Sequence, residues 1–124
     1  MIRLVPAVAA AMAFASWSPV FAEEIERGRD LYKECEACHG LEPDERRVGP
    51  SLYRIFGRTA GENPNFGRYS EAMQESDIVW DEETLSAYIA DPEGIIPGTR
   101  KAFSGMGSAE DRDALIAYLR EEAQ

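Results

Sequence analysis

The sequence is short of positive charge, of cysteine and of histidine. Its 124 residues carry 13 lysines and arginines against 23 aspartates and glutamates, a formal net charge of −10. Nucleic acids and anionic membrane surfaces are bound by clustered lysine and arginine, so this balance argues against both as partners. Only two cysteines and one histidine are present. The length allows one domain, and the hydrophobic content of 44% is too high for a disordered chain.

The sequence also lacks a hydrophobic run long enough to favour a membrane-spanning helix. Its uncharged run, Leu4 to Ala15, follows Arg3 and precedes Val20-Phe21-Ala22, a small-x-small cleavage pattern. These features predict a secretory signal peptide over residues 1–22, cleaved ahead of a single domain over residues 23–124. Export would place the mature protein in the periplasm, an oxidising compartment, without stable membrane insertion.

Apolar spacing and capping residues predict several helices. The first covers Glu24 to Glu36, with Gly28 in its interior, where glycine costs about 1 kcal/mol relative to alanine. A close approach by another backbone would justify that glycine. Further along, we expect Ser70 to cap a short helix through Gln74, Asp81 to cap a longer helix that ends at Asp91-Pro92, and Ser108 to cap the last helix.

Residues 40–68 and 93–107 show no periodic pattern. Glycine and proline recur through the first of these stretches, so we expect loops with at most a short helix near Leu52–Phe56. The predicted fold class is all-α. Loops this long are uncommon in a small domain unless they enclose something functional, so the sequence predicts a large apolar group at the centre of the fold.

Both cysteines and the histidine lie within five residues, Cys35-Glu36-Ala37-Cys38-His39. This spacing is the attachment signal for haem c, in which two thiols bond to the porphyrin and the imidazole binds the iron. A structural zinc site would need four ligands and a thioredoxin-type dithiol a βαβ context, and the sequence offers neither. The remaining alternative is a disulfide beside an uninvolved histidine. We therefore expect one covalent haem c, attached through Cys35 and Cys38, with His39 as the proximal iron ligand.

Further motifs follow in order along residues 24–124. They are Gly28 and Tyr32 before CEACH, then VGPSLYRIFGRTAG at 48–61, Tyr69-Ser70, Trp80, ETLSAYIADP at 83–92, IPGT at 96–99 and DALIAYL at 113–119. In this order the motifs resemble the class I c-type cytochromes, the mitochondrial-like and bacterial soluble electron carriers. The resemblance implies the class I cytochrome c fold, with helices and long loops wrapped around one haem. It also implies that Gly28 and Tyr32 pack against the last helix, near Leu115 and Tyr118.

The resemblance assigns roles around the haem. The Pro50 carbonyl would accept the second N–H of His39, which fixes the tautomer of the imidazole and raises its basicity as a ligand. The inner haem propionate would be surrounded by Arg58, Tyr69 and Trp80, and Tyr88 would lie behind the haem on its distal side.

The sequence departs from the family at the sixth iron ligand, normally a methionine shortly after IPGT. Lys101 stands at that position, and Met106 follows five residues later, where the family usually has an aliphatic core residue. Lys101 could bind through its neutral amine. Alternatively, Gly105 and Gly107 could let the loop rearrange so that Met106 binds, Met73 could bind, or the site could be open. We take Lys101 as the candidate ligand and Met106 as the alternative; a nitrogen donor predicts a low-potential haem.

The resemblance implies a monomeric one-electron carrier between periplasmic or membrane-bound redox partners, and not an enzyme. The alternative is a haem enzyme, or a protein that binds peroxide or small gases at an open or exchangeable sixth site. Added cyanide, carbon monoxide or imidazole should leave the spectrum of a carrier nearly unchanged. The acidic composition favours redox partners with a basic or neutral docking surface.

Overall fold

The fold is given by a computed structural model, which describes residues 1–2, 6, 8–15, 18–99 and 102–124. Within these ranges lie five α-helices: α1 (Pro19–Glu36), α2 (Glu71–Glu75), α3 (Glu82–Ala90), α4 (Pro92–Ile95) and α5 (Ala109–Glu122). The described part of the chain has no β-strand, only an isolated antiparallel bridge between Thr59 and Val79. The all-α prediction is therefore confirmed. None of the helices in these ranges combines the length and the apolar character needed to cross a membrane.

Helices α1 and α5 form the most extensive contact between elements. A Cβ atom added at Gly28 would lie 2.0 Å from the carbonyl oxygen of Ala114 and 2.6 Å from Cβ of Tyr118. One turn further along α1, the rings of Tyr32 and Tyr118 lie 5.5 Å apart. The predicted packing of Gly28 and Tyr32 against the last helix is confirmed. The glycine is needed because any side chain there would push the two helices apart.

Three predicted helix starts are confirmed by their caps. The hydroxyl of Ser70 and that of Ser108 each accept a hydrogen bond from the amide three residues later, at 3.2 Å in both cases. At the start of α3, a carboxylate oxygen of Asp81 accepts from the Thr84 amide at 2.7 Å, and the Thr84 hydroxyl accepts from the Asp81 amide at 2.8 Å. These reciprocal bonds satisfy two backbone donors that a helix start otherwise leaves unpaired.

The hydrophobic core lies where α5 packs against α1 and against α3. The predicted apolar faces of both helices are buried, on α3 by Leu85, Tyr88 and Ile89 and on α5 by Leu115, Ile116, Tyr118 and Leu119. The long loops contribute less, with Ile55, Ala60 and Ile96 as their buried aliphatic members.

Helix α1 begins earlier than predicted. It starts at Pro19 rather than Glu24, so it includes the Val20-Phe21-Ala22 segment. Proline is favoured in the first turn of a helix because its missing N–H has no intrahelical partner there. The apolar residues that follow Pro19 are compatible with a helix. The prediction from the periodic pattern, which starts at Glu24, was therefore too short.

The stretch predicted to be loops with at most a short helix near Leu52–Phe56 forms a pair of turns there, because Arg54 has a φ of 52°, outside the helical region. One local prediction was wrong. Helix α4 lies at the start of a stretch predicted to be irregular. Asp91 caps it by accepting from the Gly94 amide at 3.1 Å, so the proline that ends α3 also begins α4.

Candidate cofactor site

The end of α1 places the three residues of the attachment signal together. The backbone amides of Cys38 and His39 both donate to the carbonyl of Cys35, at 3.1 and 2.9 Å, which closes the chain into a tight turn. Both cysteines are partly exposed, and no disulfide joins them. The two cysteines lie three positions apart, Cys35 in the last turn of α1 and Cys38 in the turn that follows it.

The imidazole of His39 is held in one tautomer by its contact with Pro50. Its Nδ1 lies 2.7 Å from the Pro50 carbonyl oxygen. A carbonyl can only accept, so Nδ1 carries the proton and Nε2 keeps its lone pair in the neutral ring. This is the arrangement in which Nε2 binds a metal ion and the second nitrogen is fixed by a backbone acceptor.

Gly49 brings the backbone directly against the imidazole. A Cβ atom there would lie 2.6 Å from Cε1 of His39. The Gly49 amide donates to the Cys38 carbonyl at 2.8 Å, and the Tyr32 hydroxyl donates to the His39 carbonyl at 2.6 Å. Burial raises the pKa of Tyr32 well above its ordinary value, which keeps this donor protonated. The ring is therefore positioned from two sides, by α1 and by the loop after His39.

Arg58 lies next to both Tyr69 and Trp80. The Trp80 amide donates to the Arg58 carbonyl at 2.9 Å, next to the bridge between Thr59 and Val79. Burial lowers the pKa of Arg58, while the neighbouring Tyr69 opposes that shift. Burial also raises the pKa of Tyr69, although the Asn63 amide donates to its hydroxyl at 3.3 Å.

The guanidinium group of Arg58 is suited to an anion. It donates to the Ser51 carbonyl at 3.3 Å and to the Tyr53 carbonyl. No carboxylate oxygen in the described ranges lies within 4.0 Å of it. A partly buried cation without an acidic partner is unfavourable unless another anion neutralises it. The Arg58 guanidinium therefore fits a buried haem propionate. The two thiols and the imidazole in its fixed tautomer fit the covalent attachment and the iron.

Two buried polar residues that sequence reasoning missed support this region. Ser51 is 2% exposed, and its hydroxyl donates to the Glu42 carbonyl at 2.5 Å. Asn63 is 7% exposed and donates through Nδ2 to the Ser51 carbonyl at 3.3 Å. Ser51 stands beside Pro50 within VGPS, but a polar residue in a loop carries no periodic signal, so only the fold shows that it is buried.

Tyr88 reaches the loop that follows α4. Its hydroxyl lies 3.0 Å from Oγ1 of Thr99, and its ring lies 5.1 Å from that of Trp80. Burial raises the pKa of Tyr88. The proposed distal ligand, Lys101, lies outside the described residues, which break off at Thr99 and resume at Ala102.

Met106 is part of the hydrophobic core. It is 9% exposed, and its amide donates to the Ile89 carbonyl at 2.8 Å. Its own carbonyl accepts from the Arg112 guanidinium, also at 2.8 Å. Gly105 adopts a φ of 119°, and a Cβ atom there would lie 2.4 Å from the Ala90 carbonyl oxygen. The glycine before Met106 therefore fixes the chain against α3, whereas the sequence suggested that it provides freedom to rearrange.

Comparison with known proteins gives consistent matches. The family model described as "Cytochrome c" matches residues 25–122. "Cytochrome c2" of Afifella marina is 40% identical over 100 residues, which cover 77% of this chain and 80% of that protein. "Cytochrome c2 iso-2" of Magnetospirillum fulvum is 44% identical over 86 residues, covering 69% and 88%. "Cytochrome c" of Gibberella zeae is 37% identical over 103 residues, covering 82% and 96%.

Proposed function

Because the chain belongs to the cytochrome c family, we propose that it is an exported, monomeric one-electron carrier whose sixth iron ligand is Lys101. Family membership by itself shows which cofactor the protein carries and what kind of function it has. The protein carries one covalent haem c and transfers electrons rather than converting a substrate. When bound, the haem supplies the one-electron couple between Fe(III) and Fe(II).

The contact of His39 with Pro50 carries the assignment of the proximal ligand. In this proposal Cys35 and Cys38 form the two thioether bonds and His39 is the proximal ligand. The 2.7 Å bond from Nδ1 to the Pro50 carbonyl supports it, because it leaves Nε2 as the metal-binding nitrogen. Gly49 supports it as well, since a larger residue would displace the ring.

Arg58, Tyr69 and Trp80 are proposed to hold the inner propionate. The absence of an acidic partner within 4.0 Å of Arg58, in the part of the chain that the structure describes, supports this role. A propionate there would neutralise a charge that the fold otherwise leaves uncompensated. Tyr88 is proposed to close the distal side, where its bond to Thr99 links the core to the start of the distal loop.

The sixth ligand is proposed to be Lys101, with Met106 as the alternative. Met106 is fixed in the core by backbone bonds to Ile89 and Arg112, and its ligation would have to draw a buried side chain out of apolar contacts. This supports Lys101, which precedes that anchor by five residues. A lysine ligand favours Fe(III), so a low reduction potential is part of the proposal.

The ligand proposal is tested by the absorption and proton NMR spectra of three purified holoprotein variants. Lys101→Ala should convert the oxidised haem from low spin to high spin, or open it to added imidazole. Met106→Leu keeps the core filled and should leave the oxidised spectrum unchanged. Lys33→Ala removes the other lysine, an exposed residue paired with Asp30 on α1, and should also have no effect.

Two results would contradict Lys101 as the ligand. One is a set of strongly upfield methionine resonances in the reduced wild-type protein that disappears in Met106→Leu. The other is rapid binding of cyanide or carbon monoxide by the wild-type protein, which would favour an open site and the peroxide- or gas-binding alternative.

Export and partners complete the proposal. Residues 1–22 are proposed to be a signal peptide for the periplasm. The exposure of Ile2, Val8, Met12 and Phe14, each 83% or more, supports this because these apolar side chains are not buried in the core. The acidic helices are proposed to meet a redox partner with a basic or neutral docking surface.

Mass spectrometry of the mature protein from the periplasmic fraction tests the export proposal. A chain that starts at Glu23 and carries the added mass of one haem is expected. A haem-containing chain that retains residues 1–22 would contradict it.

A further inference from the structure

We propose that Arg112 is a positioning residue for the sixth iron ligand. Its guanidinium group holds the end of the distal segment, defined as residues 102–107, against α3 and α5. This inference rests on the proposed function, because it takes the sixth ligand to be Lys101 or, in the alternative, Met106. Lys101 directly precedes the segment and Met106 lies within it. With the end of the segment held in place, the native ligand should exchange slowly with an added one.

The guanidinium group of Arg112 bonds to the backbone of the distal segment. One nitrogen, Nη1, donates to the Met106 carbonyl at 2.8 Å and to the Gly107 carbonyl at 3.0 Å. No carboxylate oxygen in the described ranges lies within 4.0 Å of this group. Hydrogen bonds from an ionised donor are stronger than those between neutral groups, and here the donor is not shared with an ion pair. Residues 102–107 have no regular secondary structure, so these bonds satisfy carbonyls that a helix would otherwise pair.

Arg112 also links the distal segment to α3. Its Nε donates to Oγ of Ser86, in the middle of α3, at 3.1 Å. Arg112 is the fourth residue of α5, and helical side chains point towards the N-terminus, so the guanidinium group reaches back past Ser108 to the preceding residues. A cation in the first turn of a helix interacts unfavourably with the helix dipole. The three hydrogen bonds offset that cost and join α3, α5 and the distal segment at one side chain.

Two further contacts hold the loop between α4 and α5 to α3. At the start of the loop, the Tyr88 hydroxyl lies 3.0 Å from Oγ1 of Thr99. Near its end, the Met106 amide donates to the Ile89 carbonyl at 2.8 Å. Removing the Arg112 side chain would leave both contacts and the buried Met106 side chain in place. The fold should therefore persist, while local displacement of the distal segment becomes easier.

Arg120 provides a matched control on the same helix. It pairs with Glu82 of α3 at 2.8 Å, and its Cζ lies 4.0 Å from the centroid of the Phe56 ring. Like Arg112, it therefore links α5 to α3. It lies eight residues further along α5, about 12 Å along the helix axis from Arg112. Its loss should weaken the packing of α5 without releasing the distal segment.

The kinetic test follows the binding of imidazole to the oxidised holoprotein by stopped-flow absorbance. At saturating imidazole, the rate is limited by the loss of the native ligand. Arg112→Gln should raise this limiting rate about tenfold, because hydrogen bonds from a charged donor are lost. Arg120→Gln should change it less than about twofold. The oxidised spectrum before mixing should be the same in both variants and the wild-type protein, since the ligand itself is unchanged.

Two conservative variants separate the contacts of Arg112. Arg112→Lys keeps the charge but lacks the planar fork, so its limiting rate should lie between those of the wild-type protein and Arg112→Gln. Ser86→Ala removes only the acceptor on α3 and should raise the rate about two- to threefold. If Arg112→Gln fails to fold, unchanged rates in these two variants would overturn the proposal.

Hydrogen exchange locates the effect of the substitution. The Met106 amide, which donates to the Ile89 carbonyl, should exchange about tenfold faster in Arg112→Gln than in the wild-type holoprotein. Amides where α1 crosses α5, around Gly28, should change much less. A uniform increase across α1, α5 and the distal segment would overturn the proposal, because it indicates a loss of overall stability only.

The imidazole rates also decide between the possible failures. Equal limiting rates in Arg112→Gln and the wild-type protein would overturn the proposal, as would equal increases in Arg112→Gln and Arg120→Gln. If only the positioning role is wrong, Lys101→Ala abolishes the limiting rate while Arg112→Gln behaves as the wild-type protein. If the sixth site is open, the wild-type protein itself shows no limiting rate, and the positioning role fails with the proposed function. A limiting rate that survives in Lys101→Ala and rises in Arg112→Gln overturns only the ligand assignment and supports positioning of Met106.

Discussion

The helical frame (α1, α3 and α5) and the site loop (residues 37–70) are held together by different interactions. In the frame, apolar faces pack closely enough that Gly28 cannot carry a side chain. In the site loop, polar residues such as Ser51 and Asn63 donate to backbone carbonyls, and Ile55 and Ala60 are its buried apolar residues. Because the site loop buries so few apolar side chains, it needs a bound group to be stable. A covalently attached haem meets that need.

Removal of the haem is the strongest test of this difference between the helical frame and the site loop. The double variant Cys35→Ala/Cys38→Ala cannot form thioether bonds and should lose nearly all amide protection in the site loop. Any residual helix should be confined to the contact of α1 with α5, because that is the most extensive contact between elements and is made by the protein chain without the haem. Hydrogen exchange and far-ultraviolet circular dichroism of the haem-free protein measure this. A site loop as protected as α5 would contradict the comparison.

A smaller effect is expected from filling the crossing point of the frame. Gly28→Ala places a methyl group 2.0 Å from the Ala114 carbonyl oxygen. Overpacking of about 3 kcal/mol, less about 1 kcal/mol gained in helix propensity, should lower the free energy of unfolding by about 2 kcal/mol. Denaturant titration of the holoprotein measures it.

The matched control for that variant is Gly67→Ala in the site loop. A Cβ atom there meets nothing within 4 Å, so the free energy of unfolding should be nearly unchanged. Equal effects of the two substitutions would show that the helix crossing is not the tightest point of the fold.

Alkaline pH should lower the stability of both the frame and the site loop, because each contains a tyrosine that is at least partly buried. Burial raises the pKa of Tyr32 in the frame and of Tyr69 in the site loop above the ordinary value of 10.0. The unfolded chain loses these protons near pH 10 while the folded chain retains them, so stability is complete below that pH and falls as the pH rises further. Thermal melts across this range, together with tyrosinate absorbance, measure the loss. Tyrosinate absorbance that rises fully near pH 10, before any unfolding, would contradict it.

The smallest effect is expected at a helix cap. Ser108→Ala removes the acceptor for the Asp111 amide at the start of α5 and should lower the free energy of unfolding by about 1 kcal/mol. Ser104→Ala, at an exposed position four residues earlier, is the control and should change it very little. If both variants lose the same stability, the cap does not stabilise α5 as the structure indicates.

Much of the frame could be predicted because its signals are local. Asp81 and Ser108 indicate the starts of α3 and α5, because one side chain accepts from the amide three residues later. Ser70 indicates the start of α2 in the same way. The apolar faces of α3 and α5 follow from helical spacing. The boundaries were less certain, since Pro19 starts α1 ahead of the periodic pattern and Pro92 both ends α3 and starts α4.

The site was predicted in part, by motif and resemblance rather than by periodicity. Cys35, Cys38 and His39 are adjacent in the chain, so their grouping was certain from the start. Arg58, Tyr69 and Trp80 are far apart in sequence, and only the family resemblance implied that they meet. Ser51 and Asn63 were missed because a polar residue looks the same in a sequence whether it is solvated or buried.

The sequence by itself determined the covalent chemistry and the helices, because thiol spacing, capping and apolar periodicity act over a few residues. The tertiary structure decided which backbone atoms meet side chains from distant segments. It set the tautomer of His39 through Pro50, gave Arg58 neutral carbonyls instead of a carboxylate, and fixed Met106 against α3. These outcomes depend on distances between segments remote in sequence, which no local pattern encodes.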